Sequence, residues 1–159
     1  MNEEAKKKIL RGIPYGLYVI GVRDLDGHCH AFTGSLLAQC SMKPPRVALG
    51  VRQGTHSLDL IQKTRVFSVN LFGKSDQKVL EQFFKHAPSS GDRFGNLSYT
   101  LNSTKTPILD DAISYLECEV KDIVEAGDHV LVIGEVIEAE IKKDGSPLVM
   151  SDTPWHYGG

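Results

Sequence analysis

No stretch of this chain approaches the roughly 18 consecutive apolar residues of a membrane-spanning helix. Cysteine is scarce: Cys29, Cys40 and Cys118 are the only three in 159 residues, odd in number, widely spaced and without a CxxC. That usage predicts a reducing compartment, the cytoplasm, rather than a disulfide framework. The N-terminus, Met1 to Lys8, is charged and carries neither the apolar core nor the cleavage site of a signal peptide. Charge of one sign is lacking too. The formal net charge is −2, which gives no overall electrostatic footprint for nucleic acid. GxGxxG, Walker and GxSxG motifs are absent, and with them the commonest nucleotide and hydrolase signatures. There is no internal repeat, low-complexity tract or linker, so residues 1–159 read as one domain. A hydrophobic content of 41% and a charged content of 24% suit an ordinary globular core.

What the chain does have is one unusual stretch, Thr33-Gly34-Ser35-Leu36-Leu37-Ala38-Gln39-Cys40-Ser41 followed by Pro44-Pro45. Its small side chains let backbone N–H and C=O groups approach a flat polar ligand. An apolar strand, Arg46 to Val51, comes next, and then Arg52-Gln53-Gly54-Thr55-His56-Ser57 where a helix should begin. Hydroxyls together with unpaired helix N-terminal amides suit a phosphate. A six-residue strand spans about 20 Å, enough to separate a ring site from a phosphate site. The same Ser/Thr/Gly clusters also serve as turns and caps.

Taken in order, residues 3–11 read as a helix with Glu3–Lys7 and Glu4–Lys8 pairs and Gly12 as its stop. Gly16–Val22 and His28–Phe32 are strands joined by the Asp24–Gly27 turn. A helix opens at Leu58 and stops near Thr64, and Val66–Phe72 is another strand. Ser75 or Asp76 caps a helix carrying Val79, Leu80, Phe83 and Phe84 at 3.6-residue spacing. Leu97–Leu101 is a short strand. From Leu116 the alternation puts Leu116, Cys118 and Val120 inward and Glu117, Glu119 and Lys121 outward. Gly127-Asp128 turns the chain into Val130–Ile133, apolar on both faces, which asks for cover from a second layer or a second subunit. Seven or eight antiparallel strands with two short inserted helices predict a mainly β fold, a closed or partly open β-barrel.

Several constellations could carry chemistry. His28 and His30 share one face of a strand, as metal ligands could, but with no third ligand nearby in sequence they read as a polar face. Asp110-Asp111 and Glu117/Glu119 read as solvated carboxylates. Gly127-Asp128-His129 has two readings that stand level: a hairpin turn, or an imidazole held at a barrel rim facing a ligand. Trp155, the single tryptophan, is either a flap over a pocket or packing onto a partner chain.

An ordered set of segments gives these readings a common frame. It runs Thr33-Gly34-Ser35, Ser41-Met42-Lys43-Pro44-Pro45, Thr55-His56-Ser57, Phe67-Ser68-Val69-Asn70, Phe83-Phe84, Tyr115-Leu116-Glu117-Cys118, Ala126-Gly127-Asp128-His129 and Gly134-Glu135-Val136. In this order and spacing the chain resembles the flavin reductase-like family, whose members have the antiparallel, Greek-key FMN-binding split barrel. The opening Tyr15-Gly16-Leu17-Tyr18-Val19 looks most like the flavoredoxin-type, rubredoxin-fused branch. The resemblance implies that Thr33, Gly34, Ser35, Leu36, Gln39, Cys40 and Ser41 line the isoalloxazine and ribityl chain. It implies that Arg52, Thr55 and Ser57 hold the FMN phosphate, with Arg93 on the phosphate side. His129 would border the face where nicotinamide stacks, with Trp155 near the same opening. Leu36 departs from relatives that carry a second serine there.

The implied activity is an FMN-binding oxidoreductase that takes hydride from NADH or NADPH and passes electrons on, as a homodimer. Flavin supplies the redox chemistry while the protein binds and orients it, so His129 would position or supply a proton rather than act as a nucleophile. The alternative is a flavoredoxin-like FMN electron-transfer protein, reduced by a protein partner and not by NAD(P)H. A third reading is a flavin-binding barrel without turnover of its own.

Overall fold

In the computed structural model, which describes all of residues 1–159, strands far outweigh helices and pair antiparallel. Helix α1 (Glu3–Arg11) precedes β1 (Tyr18–Arg23), β2 (Cys29–Gly34), β3 (Leu37–Met42) and β4 (Pro45–Arg52). Helix α2 (His56–Thr64), β5 (Val66–Leu71), α3 (Gln77–Glu81) and the short β6 (Ala87–Pro88) and β7 (Arg93–Phe94) follow. The remainder is β8 (Leu97–Leu101), β9 (Pro107–Leu109), β10 (Ser114–Ala126), β11 (His129–Ile141) and a 3-10 turn at Met150–Asp152.

Eight strands form one sheet in the order β3-β4-β11-β10-β5-β1-β2-β6, and β7-β8-β9 form a second. The two edges of the large sheet, β3 and β6, do not pair, so the barrel is split rather than closed. Its interior holds Ile20, Val22, Leu49, Val51, Val69, Cys118, Val120, Val130 and Val132, with Leu58 and Ile61 of α2 plugging it. Alternation delivers these side chains inward from five different strands. Burial pushes the Cys118 thiol up to about 12. A second cluster, including Val19, Phe72, Leu80, Phe83, Leu109 and Leu148, packs the other side of β1 and β5. β1 and β5 are buried on both sides, as central strands covered by two layers are, although the second face of β5 carries the polar Ser68 and Asn70.

The small sheet is the layer that the sequence did not announce, and it corrects one expectation. Glu117, read as outward and solvated, is fully buried. It does point away from the barrel interior, but β8, β9 and the loop between them cover that face. Its carboxyl group accepts from Thr104 N at 2.7 Å, Ser103 N at 3.2 Å and Thr104 Oγ1 at 2.6 Å. Asn70 is satisfied beside it, donating to the Val19 and Pro107 carbonyls and accepting from Leu109 N at 2.8 Å. A second difference lies at α3, which ends at Glu81 instead of running to Phe84. The chain turns there through Phe83 N donating to Leu80 O, which buries Phe83 and leaves Phe84 exposed.

The remaining expected elements form where patterning put them, including the Asp24–Gly27 and Gly127-Asp128 hairpins. In Val130–Ile133, Val130 and Val132 are buried while Leu131 faces out, 37% exposed. Its cross-strand partner Val124 and the nearby Ile137 are also exposed. No helix is long and apolar enough to cross a membrane.

Candidate active site

The two segments singled out in the sequence meet at one cavity. Strand β2 delivers Phe32, Thr33 and Gly34 to it, and the β2–β3 connection adds Ser35 and Leu36. The end of β4 and the start of α2 bring Gly50, Val51, Arg52, Thr55 and Ser57 to the same space. Leu36 sits directly on β4, and a Cβ on Gly50 would lie 2.8 Å from the Leu36 Cβ. Any side chain at residue 50 would therefore push this wall into the cavity. Gly54 takes a positive φ of 73°, which turns β4 sharply into α2 and favours glycine.

Thr55 caps α2, its hydroxyl accepting from Leu58 N at 3.3 Å and donating to Arg52 O at 2.9 Å. Arg52, exposed, and Thr55 at the start of α2 both line the cavity, a cation and a helix end suited to an anion. Thr33 plays a different part from a direct hydroxyl contact. Its Oγ1 donates to Leu80 O at 2.8 Å and its N–H to Phe83 O at 2.7 Å. It ties β2 to the 80–84 turn and so holds Phe84 against the cavity.

A second cavity adjoins the first, and Thr33, Gly34, Ser35, Phe84 and Tyr157 line both. Their volumes are about 280 and 430 Å³, the scale of small-molecule and cofactor sites. Trp155 lines the second and meets Phe84 edge-on, ring centroids 4.8 Å apart at 85°. The tail that carries it is anchored: Met150 N donates to Tyr15 O at 2.8 Å, and Arg11 Nε to Gly158 O at 3.0 Å.

His129 begins β11 opposite Arg52 of β4. It does not line the cavity itself but reaches it through Tyr157, whose hydroxyl lies 2.8 Å from His129 Nε2. Its other nitrogen, Nδ1, is 2.8 Å from Asp128 Oδ1. The hydrogen bond and charge of the imidazole hold the Asp128 carboxyl below the usual carboxylate range.

Four expected residues are not brought together with these. Gln39 and Cys40 are exposed and Ser41 is half-buried on the edge strand β3, where Gln39 Nε2 donates to Ser41 O and Ser41 Oγ to Pro44 O. Arg93 lies exposed on β7, donating to Asn96 O at 3.4 Å. Phe84, His86 and Tyr157 line the cavity without having been singled out as ligand contacts. The paired Phe83-Phe84 was the one usable signal among them.

His28 and His30 both approach Asp24, at 3.1 and 3.8 Å. His28 lies in the turn before β2 and contacts Asp24. His30 faces His86 and His56, which sequence proximity could not reveal. His86 Nδ1 lies 2.7 Å from Ser57 Oγ in the cavity wall. Burial, and next the neighbouring histidines, push the His86 imidazole down to about 4.

The chain as a whole is similar to known proteins. A flavin reductase-like domain model matches residues 10–158. A flavin reductase from Pseudomonas putida is 27% identical over 143 residues, covering 90% of this chain and 82% of that protein. An NADH:riboflavin 5'-phosphate oxidoreductase from Streptomyces pristinaespiralis is 29% identical, over 83% of this chain and 74% of its own. The crystal structure of the flavin reductase HpaC in complex with NADP+ superposes with a TM-score of 0.79 at 25% identity, covering 99% and 98% of the two chains. The split barrel, the cavity between β2, β4 and α2, and a domain match over nearly the whole length agree: this chain belongs to the flavin reductase-like family.

Proposed function

We propose that this protein, a flavin reductase-type oxidoreductase that draws on NAD(P)H, binds FMN in the cavity between β2 and α2. The observation that carries the reading is the meeting of residues 32–36 and 50–57 on one cavity. Bound flavin supplies hydride acceptance from NADH or NADPH and onward electron transfer. Gly34 and Ser35 offer backbone and hydroxyl to a planar polar ring, while Phe84 and Trp155 offer apolar faces. Arg52 and the α2 amides hold the phosphate. His129, acting through Tyr157, holds or supplies a proton at the rim and positions the nicotinamide. The short Arg52–Thr55 turn cradles one phosphate, which favours FMN over FAD, and the named activity of the Streptomyces relative supports the same choice.

The exposed Val124, Leu131 and Ile137 form an apolar outer face on β10 and β11. A second copy of the chain would cover it, and a partner placed there also accounts for Gln39–Ser41 at the β3 edge. The unpaired Cys29, Cys40 and Cys118 support a cytoplasmic setting.

Anaerobic mixing with NADH or NADPH tests the activity, with bleaching of the flavin expected for one or both. An FMN-loaded protein bleached by neither would instead be the electron carrier reduced by a protein partner. Fluorescence titration should show tighter binding of FMN than FAD. Sedimentation should give a dimer of the 17.5 kDa chain, and a flavin-loaded monomer at micromolar concentration would end that part of the proposal.

A further inference from the structure

Behind the Ser57 wall three imidazoles converge from separate parts of the chain. His30 comes from β2, His56 from the first turn of α2, and His86 from the residue before β6. Pairing of β6 with β2, with Ala87 opposite Ala31, places His86 beside His30. The ring centroids are 4.7, 4.8 and 5.5 Å apart, and one nitrogen from each ring lies within 4.8 Å of the others.

We propose that His30, His56 and His86 form a binding site for one divalent transition-metal ion of the zinc class, bordering the flavin cavity at the His86 wall. With Zn–N bonds of about 2.0–2.1 Å, two nitrogens on a tetrahedral ion lie about 3.3 Å apart. His86 Nε2 and His30 Nδ1 are 2.9 Å apart, so a small opening of this pair admits the ion. His56 is exposed at the helix start and needs only a side-chain adjustment to close the third position.

The surroundings match those of histidine ligands in metal sites, where the second ring nitrogen meets a hydrogen-bonding group that fixes the tautomer. For His86 that group is Ser57 Oγ, 2.7 Å from Nδ1. For His30 it is the Asp24 carboxylate, 3.8 Å from Nε2. That distance is too long for a hydrogen bond, and His30 Nε2 is buried without a partner. A cation on Nδ1 would set the proton on Nε2, facing Asp24, and give this buried group a reason for its place.

The all-imidazole set suits zinc, copper, nickel or iron(II) and not the oxygen-seeking calcium or magnesium. Cys29 is not a fourth ligand, since its thiol faces the Gly27 and Lys105 carbonyls.

The test uses the protein with whatever flavin it carries, dialysed against EDTA and then titrated with Zn2+ by calorimetry and with Co2+ by visible absorption. One equivalent per chain is expected, with the intense d–d bands of a tetrahedral nitrogen-bound Co2+. His30→Gln and His56→Gln should each weaken binding about 100-fold or more. His28→Gln, which alters the Asp24–Asp26–His28 group at the hairpin but none of the three ligands, should leave binding unchanged. Because His56 is exposed, its variant reads out the site even where His30→Gln compromises folding. Sub-stoichiometric binding, weak octahedral-type Co2+ bands, or loss of binding in His28→Gln but not in His56→Gln would overturn the assignment. Flavin content and bleaching are not the readout, so failure here leaves the flavin reading untouched.

Discussion

Two polar regions of this molecule are built on opposite terms. Around Glu117 every strong acceptor has a donor from the chain itself, three of them on one carboxyl group. Around the cavity Arg52 is exposed, Thr55 and Ser57 at the start of α2 line it and Tyr157 reaches in from the far end of the chain. A buried polar cluster that closes on itself is spent on structure, because any donor it lost would be stranded. A polar rim that stays open to the outside has capacity left for a ligand. Substitution should therefore hit stability in the first region and binding or rate in the second.

The largest expected effect is at the closed cluster. Glu117→Ala strands the Ser103 and Thr104 amides, and should cost about 3 kcal/mol. Urea unfolding measures it, while FMN affinity of the folded fraction should stay at the parent value. A stable Glu117→Ala protein with weakened FMN binding would reverse the division between the two regions.

At the rim, His129→Ala should slow flavin reduction by NAD(P)H on the order of 10²-fold, the usual worth of a proton donor or positioning contact. FMN should remain bound and the urea midpoint should not move. Tyr157→Phe removes only the hydroxyl that His129 contacts and should slow reduction less. Stopped-flow bleaching of the FMN-loaded variants reads both, and a parent rate in His129→Ala returns that residue to a turn role.

Arg52→Ala should weaken FMN binding roughly tenfold or more, as expected for losing a charge-assisted hydrogen bond of about 1.5–3 kcal/mol. Its far-UV spectrum should be unchanged. An unaltered dissociation constant would move the phosphate elsewhere on the surface.

The mildest probe compares thiols without mutation. Cys118 is fully buried and its thiol is pushed up to about 12, whereas Cys40 is exposed. At pH 8 iodoacetamide should label Cys40 readily and leave Cys118 untouched until denaturant is added, as peptide mapping would show. Protection of Cys40 at concentrations where the chain is dimeric would place the β3 edge in the subunit interface.

The sequence by itself determined the alternating strands, the Asp-Gly and Gly-Asp hairpins, and both hydroxyl-rich walls of the cavity. Each is a local consequence of side-chain period or turn geometry within a dozen residues. Patterning could not tell that Glu117 is covered, because alternation assigns a face but not what lies over it. Only the packing of β8 and β9 decides that. Nor could it join His30 to His56 and His86, or Tyr157 to His129, since those contacts span 26 to 56 residues of chain. They exist because the split sheet folds β2 and β6 over the start of α2, and because Tyr15 and Arg11 pin the tail across the opening. Proximity of that kind belongs to the closed tertiary fold, where distant segments share one wall, and no local residue preference encodes it.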